Sequence, residues 1–202
     1  MFVALAVAGA LLVATRPGTV DDDTRPGTVD DDTKTPAAML DQRGGGARSG
    51  DAARGDGDVR GDVTVFDDDV PAVAGLDPDL LEALRSAATD AAADGIVFYV
   101  NSGWRSPAYQ EQLLREAVAE YGSVEEASRW VATAETSSHV RGDAIDVGHS
   151  DVTMWLSERG AEYGLCQIYA NEPWHYELRP GARVDGCPAV YVDASRDPRL
   201  HE

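Results

Sequence analysis

The chain has 202 residues and a formal net charge of −19 at pH 7. A field this negative repels phosphate backbones and anionic membrane surfaces, so the composition argues against nucleic acid as a partner. The length allows one ordinary domain of about 100–150 residues together with an additional segment.

The first residues form an uncharged apolar run, MFVALAVAGALLVA, over 1–14. This run has the length of the apolar core of a signal peptide and is too short to span about 30 Å of hydrocarbon comfortably. The basic residues that usually precede such a core are missing. Either the true start lies upstream, or this run is an atypical export signal or a membrane anchor, and a buried N-terminal helix is the alternative. We expect the folded part to lie outside the cytoplasm, in the extracellular space or the cell wall.

Residues 15–63 have the composition of a linker. The unit TRPGTVDDD occurs twice in tandem, over 15–23 and 24–32, and a tract rich in Gly, Asp and Arg follows. With few large apolar side chains, this segment cannot offset the entropy of ordering, so we expect a disordered, acidic and glycine-rich spacer. The Asp triplets could be read as a calcium repeat, but they lack the glycine and the spacing of an EF-hand loop.

Globular patterning covers 64–202, which we interpret as a single domain. Asp77 and Pro78 predict the start of a helix that ends at Gly95, and the run IVFYV over 96–100 predicts a buried strand. Further helices are predicted from Ser106 to about Glu120, from Ser123 with an S-x-x-E capping box, and over about 151–163. In the last of these, Met154, Trp155 and Leu156 are expected partly inward. Short strands are predicted at 144–147, 167–169 and 174–178. This pattern predicts an α+β fold, with a small antiparallel sheet flanked by helices.

Two segments carry residues suited to metal chemistry. In SSHVRGDAID, His139 and Asp146 stand seven positions apart with a glycine between them where the chain can turn back, so both could reach one point. Downstream, EPWH adds Glu172 and His175. Two imidazole nitrogens and one carboxylate oxygen suit zinc and leave a fourth position open for water. Glu172 would then accept a proton from the attacking water and pass it to the leaving amine.

Two neighbouring residues could compete as ligands. His149 follows Asp146 by three positions, but it leads into a predicted helix, and we interpret it as a surface residue or a neighbour of the ligands. Asp143 would point away from Asp146 if this segment is a strand, because successive side chains of a strand face opposite sides. Copper or nickel would bind two imidazoles and a carboxylate at least as tightly as zinc in a test tube.

The two cysteines, Cys166 and Cys187, lie on either side of the second segment. In an oxidising compartment this arrangement predicts one disulfide, and two unpaired buried thiols are the alternative.

The two metal-binding segments resemble the signatures of a known family. SSHVRGDAID is similar to the SxHxxGxAxD signature of the zinc D-alanyl-D-alanine peptidases, which include VanY-type D,D-carboxypeptidases and VanX-type D,D-dipeptidases, and NEPWHYE is similar to their second signature, ExWH. The resemblance covers roughly residues 70–180. It implies one Zn²⁺ per chain held by His139, Asp146 and His175, with Glu172 as the catalytic base.

The resemblance also implies residues that contact substrate. Arg105, in the segment Trp104-Arg105-Ser106, matches an arginine that binds substrate and stabilises the oxyanion in this family, although Trp104 replaces a tyrosine. A planar, permanently charged donor suits a C-terminal carboxylate and an oxyanion, and a structural ion pair is the alternative. Gln110 matches a glutamine of VanY-type members, and Ser138 is a further candidate for contact with substrate or a ligand.

We therefore expect an exported zinc D-alanyl-D-alanine carboxypeptidase that removes the terminal D-alanine from peptidoglycan stem peptides and contacts a membrane only through an N-terminal anchor. Three alternatives share the same metal site: a D,D-dipeptidase, an L-alanyl-D-glutamate endopeptidase, and a non-catalytic zinc-containing module of the hedgehog type that binds the cell wall or a partner. The short segment between Leu165 and Glu172 leaves the length of the substrate open.

Overall fold

An antiparallel sheet organises residues 55–200, which are the residues that the computed structural model describes. Its strands are β1 (Val100–Ser102), β2 (Ala144–Val147), β3 (Leu165–Gln167) and β4 (His175–Leu178), in the order β1-β2-β4-β3. Each neighbouring pair is antiparallel. With the helices around it, this sheet confirms the predicted α+β class.

The two faces of the sheet have different chemistry. Side chains alternate along a strand, so Ile145 and Tyr176, which are paired across β2 and β4, point to one face and belong to the main apolar core. The next pair, Asp146 and His175, points to the opposite face. The face with Ile145 and Tyr176 therefore packs in the apolar core, and the face with Asp146 and His175 presents polar side chains.

Two long helices, α2 (Pro78–Ala91) and α6 (Ser150–Tyr163), contribute side chains to the apolar core. Asp77 caps α2 as the sequence predicts, because its Oδ1 accepts a hydrogen bond from the backbone N–H of Asp79 at 2.9 Å. Such a cap contributes about 1 kcal/mol. A 3₁₀ turn over Ala92–Asp94 extends the helix to Gly95, which ends it with a φ of 77°.

The remaining helices are short, apart from one that follows β1. Ser106 and Ser123 cap two of them with their side chains, as expected. These elements are α1 (Pro71–Ala74), α3 (Pro107–Tyr121), α4 (Val124–Ala127), α5 (Ser138–Arg141), α7 (Ala182–Asp185) and 3₁₀ turns at Ala194–Arg196 and Pro198–Leu200. Helices α3 and α4 share a second apolar cluster with the segment that follows them.

Three sequence predictions need correction. The apolar run 96–100 is not a strand along its length, since β1 begins at Val100 and Tyr99 forms only an isolated bridge. Phe98 is buried against the ring of Trp155 instead, so the hydrophobicity of the run reflects burial and not strand pairing. The strand expected at 167–169 lies at 165–167. Met154, expected partly inward, is 64% exposed.

The last residues of the predicted linker contact the domain. Asp56 accepts hydrogen bonds from the backbone and the hydroxyl of Ser106, both at 2.8 Å, Asp58 is buried and Val63 joins the core. These contacts are mostly polar, and a composition argument based on apolar burial therefore overlooked them. The predicted export signal at 1–14 and the TRPGTVDDD repeat lie outside the described residues. Within 55–200, no helix has the length and apolar character needed to cross a bilayer.

The predicted disulfide is present. Cys166 and Cys187 are bonded, with their Cα atoms 5.6 Å apart. The bond ties β3, next to β4 in the sheet, to the segment that follows α7, and this segment continues to the end of the described chain.

We expect the double substitution Cys166→Ala and Cys187→Ala to lower the stability by about 3 kcal/mol, because the bond restricts the unfolded chain. For a domain of this size, that corresponds to a fall in Tm of roughly 5–10 °C, measured by differential scanning calorimetry. Wild-type protein reduced before the scan should show the same fall. Two free thiols in unreduced, unfolded wild type would contradict the bond.

Candidate metal centre

Three side chains that the sequence singled out converge on one point. His139, Asp146 and His175 each offer a ligand atom, and these atoms all lie within 4.8 Å of one another. Asp146 and His175 face each other across β2 and β4, and His139 comes from the short helix α5. All three side chains are buried. Together they form a compact set of donors that could hold a metal ion.

Gly142 allows the turn that brings His139 and Asp146 together. It ends α5 with a φ of 82°, in the left-handed region that favours glycine. A Cβ at this position would lie 2.4 Å from the carbonyl oxygen of Gly75, and the oxygen of Gly142 accepts a hydrogen bond from the N–H of Asp77 at 2.9 Å. The glycine of the first motif is therefore required by both conformation and space, as the sequence analysis expects.

Hydrogen bonds orient the ring of His139. Its Nδ1 lies 2.8 Å from the carbonyl oxygen of Gly103, and a carbonyl can only accept, so Nδ1 carries the proton. The lone pair of a neutral ring is then on Nε2, which lies 3.4 Å from Asp146 Oδ2. Nε2 is therefore the ligand atom that His139 offers.

His175 presents its other nitrogen to the cluster. Its Nδ1 lies 3.0 Å from Asp146 Oδ1, and its Nε2 lies 3.4 Å from Glu177 Oε1. The rings of His139 and His175 meet edge to face, with their centroids 5.0 Å apart. The three donors are thus Nε2 of His139, Nδ1 of His175 and the carboxylate of Asp146.

The surroundings shift the pKa values of the three residues in different directions. Burial and the Arg105 guanidinium lower the pKa of His139. Burial opposes ionisation of Asp146, but its contacts with the two histidines outweigh this effect and hold its pKa well below the usual range. Burial also opposes charge on His175, yet hydrogen bonds to Asp146 and Glu177 raise its pKa to about 10. A bound cation would satisfy the same carboxylates.

Glu172 lies beside the donors with one oxygen unsatisfied. Its Oε2 is 3.8 Å from His175 Nδ1, and its buried Oε1 has no hydrogen-bond partner among the described residues. Burial raises the pKa of this carboxyl group to about 8. A buried carboxyl with a strongly raised pKa, next to a set of metal-ligand atoms, is the type of group that exchanges protons in active sites.

Arg105 is held in a fixed plane by three hydrogen bonds. Its Nε donates to Ser102 Oγ at 2.7 Å, Nη1 to Gln110 Oε1 at 3.2 Å, and Nη2 to Asp146 Oδ2 at 3.0 Å. Gln110 in turn donates from Nε2 to the carbonyl oxygen of Ala132 at 2.9 Å. Arg105 therefore makes the ion pair that the sequence analysis kept as an alternative, and Gln110 supports it from the other side.

A cavity of about 540 Å³ opens at this point of the molecule. All seven residues that the sequence predicted for the site line it, including Ser138, which has no other assigned role. Residues from both ends of the described chain complete the wall: 58–61 on one side, and Ala194 and Leu200 on the other. The cavity therefore includes segments outside the two motifs.

The competing residues lie away from the metal cluster. His149 is exposed, with its ring centroid 4.9 Å from that of Tyr99 and a φ of 68°. Asp143 accepts a hydrogen bond from Arg141 Nε at 2.7 Å. Neither side chain is part of the set formed by His139, Asp146 and His175.

Sequence reasoning missed Glu177, which contacts His175. The signal was available, because residues i and i+2 of a strand share a face and the sequence predicts a strand over 174–178. The partners of Glu177 were harder to find, since Arg199 lies 22 positions further along the chain, outside any motif.

Comparisons with known proteins agree with the motifs. A family model described as D-alanyl-D-alanine carboxypeptidase (VanY) matches residues 74–180. A D-alanyl-D-alanine carboxypeptidase of Enterococcus faecalis (strain ATCC 700802 / V583) is 35% identical over 123 residues, which cover 48% of this chain and 43% of that protein. The chain therefore spans less than half the length of this relative.

Two solved structures are also similar. One is a vancomycin-resistance D,D-pentapeptidase VanY mutant from a VanB-type resistance cassette in complex with Zn(II), at 30% identity and a TM-score of 0.48, covering 51% of this chain and 72% of that one. The other is VanYB in complex with D-Alanine-D-Alanine, at 30% identity and a TM-score of 0.48, covering 51% and 71%. Because the family model matches more than half of the chain and includes both histidine-containing segments, the chain belongs to the D-alanyl-D-alanine carboxypeptidase (VanY) family.

Proposed function

We propose that this chain is a zinc-dependent carboxypeptidase that removes the terminal D-alanine from peptidoglycan stem peptides outside the cytoplasm. The observation that carries the proposal is the convergence of two imidazole nitrogens and one carboxylate in the wall of a cavity, with the unsatisfied carboxyl group of Glu172 beside them. Family membership supports the choice of the D-alanyl-D-alanine bond.

The donor set fits zinc. Calcium and magnesium prefer shells made of oxygen atoms, whereas two imidazoles and one carboxylate are a common catalytic zinc set with one position left open. His139, Asp146 and His175 would hold one ion per chain. When bound, such an ion acts as a Lewis acid towards water and the scissile carbonyl group.

Glu172 is the proposed general base. Its unsatisfied oxygen needs a donor, and an attacking water in the cavity would supply one. With a cation held by the neighbouring ligands, the ionised form of Glu172 would be favoured, and its pKa would fall from about 8 towards the range in which it accepts a proton at neutral pH. The same carboxyl group can then return the proton to the leaving amine.

Arg105 is the proposed contact for substrate charge. It is buried, it lines the cavity, and three of the five N–H groups of its guanidinium are fixed by protein acceptors. A guanidinium in this position suits the terminal carboxylate of a peptide and the oxyanion that forms during attack. Gln110 would hold Arg105 in place, and Ser138 would contact the substrate from the wall of the cavity.

The proposed compartment is outside the cytoplasm. The bond between Cys166 and Cys187 supports an oxidising environment. The stem peptides of peptidoglycan are accessible there, and export through the apolar run at 1–14 is part of this proposal.

The first test is substrate choice. Purified, zinc-loaded protein should release D-alanine from a stem pentapeptide that ends in D-alanyl-D-alanine, because the proposed site binds the terminal carboxylate and cleaves the bond next to it. Amino-acid analysis of the products measures the release. A stem tetrapeptide that lacks the terminal D-alanine is the control.

Each alternative function predicts a different result in this assay. Cleavage of free D-alanyl-D-alanine alone would indicate a dipeptidase, and cleavage between L-alanine and D-glutamate would indicate an endopeptidase. Zinc-loaded protein that leaves every peptide intact would favour a non-catalytic module. Any of these three results would overturn the proposed activity.

The second test is Glu172→Gln. Turnover of the pentapeptide should fall by roughly 10²–10⁴-fold, because the amide cannot accept the proton, while zinc content measured by atomic emission stays at one per chain. Glu158→Gln, at an exposed position of α6, is the control and should keep full activity. Retained turnover in Glu172→Gln would refute the role of this residue.

The same substitution should stabilise the metal-free protein. Because the pKa of Glu172 is raised from 4.5 to about 8, the stability contributed by its neutral form is complete below pH 4.5 and is lost as the pH rises through 8. Glutamine does not ionise, so metal-free Glu172→Gln should melt above metal-free wild type at pH 8 and close to it at pH 4.5. Equal melting temperatures at both pH values would contradict the burial argument.

A further inference from the structure

Glu177 is a buried carboxylate on the same face of β4 as His175. It is 2% exposed and lies two positions after the histidine, opposite Ala144 of β2 and Cys166 of β3. Burying a carboxylate costs free energy unless charged or polar partners compensate it. The partners of Glu177 are therefore the key to what it does.

Each oxygen of Glu177 has a different partner. Oε1 lies 3.4 Å from Nε2 of His175. Oε2 accepts hydrogen bonds from Arg179 Nη2 at 2.5 Å and from Arg199 Nη1 at 2.8 Å. The carboxylate thus connects His175 to two arginines. The arginines hold Oε2, and Oε1 contacts the ring of His175.

Arg199 is itself anchored. Its guanidinium pairs with the fully buried carboxylate of Asp197, including a bond from Nε to Oδ1 of 2.9 Å. The hydroxyl of Tyr169 donates to Asp197 Oδ2 at 3.0 Å, and the ring of Tyr169 packs on that of His175 with a centroid distance of 5.0 Å. Two C-terminal residues are therefore linked to His175 indirectly. Arg199 reaches it through Glu177, and Asp197 reaches it through Tyr169.

The ring of His175 is held at both nitrogens as a result. Nδ1 faces Asp146 at 3.0 Å, and Nε2 faces Glu177. When Nε2–H donates to a carboxylate, the lone pair of the neutral ring is on Nδ1, the atom that points to the metal cluster. Metal-binding histidines commonly donate their second N–H to a carboxylate in this way, and removing that carboxylate typically weakens metal binding 10–100-fold.

We propose that Glu177, clamped by Arg179 and Arg199, is a positioning residue that fixes His175 with Nδ1 towards the metal. The segment 193–200 then supports the metal centre through Arg199, although it lies beyond residues 74–180, which match the family model. The disulfide supports this arrangement. Cys166 pairs with Glu177 across β3 and β4, and its partner Cys187 lies in the segment that leads to Arg199. The inference rests on the proposed metal site.

A purely structural role predicts something different. If Glu177 only neutralises two partly exposed arginines, its removal lowers the stability of the metal-free protein and leaves the affinity for metal unchanged. A positioning role changes the affinity itself, because the ring of His175 loses one of its two anchors. Metal affinity, measured apart from catalysis, therefore separates the two roles.

The experiment measures zinc affinity of the metal-free full chain by competition with a chromophoric chelator. We expect Glu177→Ala to raise the Kd for zinc about 10–100-fold. Glu177→Gln should have a smaller effect, since the amide oxygen still accepts from Nε2–H of His175, and Arg199→Ala should weaken binding in the same direction. With Co²⁺ as the metal, the visible absorption spectrum of Glu177→Ala should also change, because the ligand is no longer held in one orientation.

Asp94→Ala is the control outside the metal cluster. This exposed carboxylate also bonds an arginine and an aromatic side chain, Arg159 at 3.2 Å and Trp155 at 3.0 Å, and Trp155 belongs to the apolar core. Its removal should lower the Tm and leave the Kd for zinc unchanged. The comparison separates loss of stability from loss of metal affinity.

Wild-type affinity in Glu177→Ala, with a lowered Tm, would overturn the proposal. Should this variant fail to fold, wild-type affinity in both Glu177→Gln and Arg199→Ala would overturn it equally. A wild type that binds no zinc would reject this inference together with the metal site. A wild type that binds zinc but cleaves no peptide would reject only the proposed activity, and the affinities of the variants would still decide the role of Glu177.

Discussion

The pairing of Asp146 with His175 across β2 and β4 is the constraint on which the rest of the site depends. The two pairs before it, Ala144 with Glu177 and Ile145 with Tyr176, alternate between the two faces of the sheet. A shift by one residue would move the ligands into the apolar core and the core residues into the cavity. The free energy gained by burying Ile145 and Tyr176 therefore also fixes the position of the metal ligands.

The polar face of the sheet contains many charges away from water, and most of them are compensated. Asp146 is bonded by Arg105 and the two histidines, and Glu177 by Arg179 and Arg199. Glu172 is the exception, because one oxygen has no partner within the described residues. The proposed role of Glu172 as proton acceptor would account for a buried carboxyl group that the fold alone does not stabilise.

Much of the fold could be predicted because its signals are local. Capping residues such as Asp77 and Ser106 set helix starts, and Gly142 marked the turn between two ligands. Signals that depend on tertiary contacts were less informative. In the run 96–100, Phe98 is buried without being in a strand, and hydrophobicity by itself does not distinguish burial from strand pairing. The contacts of Asp58, near the end of the predicted linker, are polar and were not revealed by composition.

In the candidate site, too, local signals could be predicted and tertiary contacts could not. The two motifs contained all three ligands and Glu172 within short spans, and sequence alone could therefore bring them together. Arg199 could not be found, because its contact with Glu177 joins segments that are separated by helix α7, a loop and the 3₁₀ turn at Ala194–Arg196. Long-range pairs of this kind become visible only when the chain is folded.

The most direct test of this account is the geometry of bound zinc, determined from anomalous diffraction at the zinc edge on crystals of the zinc-loaded protein. We expect one ion bonded to Nε2 of His139, Nδ1 of His175 and a carboxylate oxygen of Asp146, each at about 2.0–2.2 Å. Zinc bound through Nε2 of His175, or an ion held elsewhere without these three side chains, would contradict it.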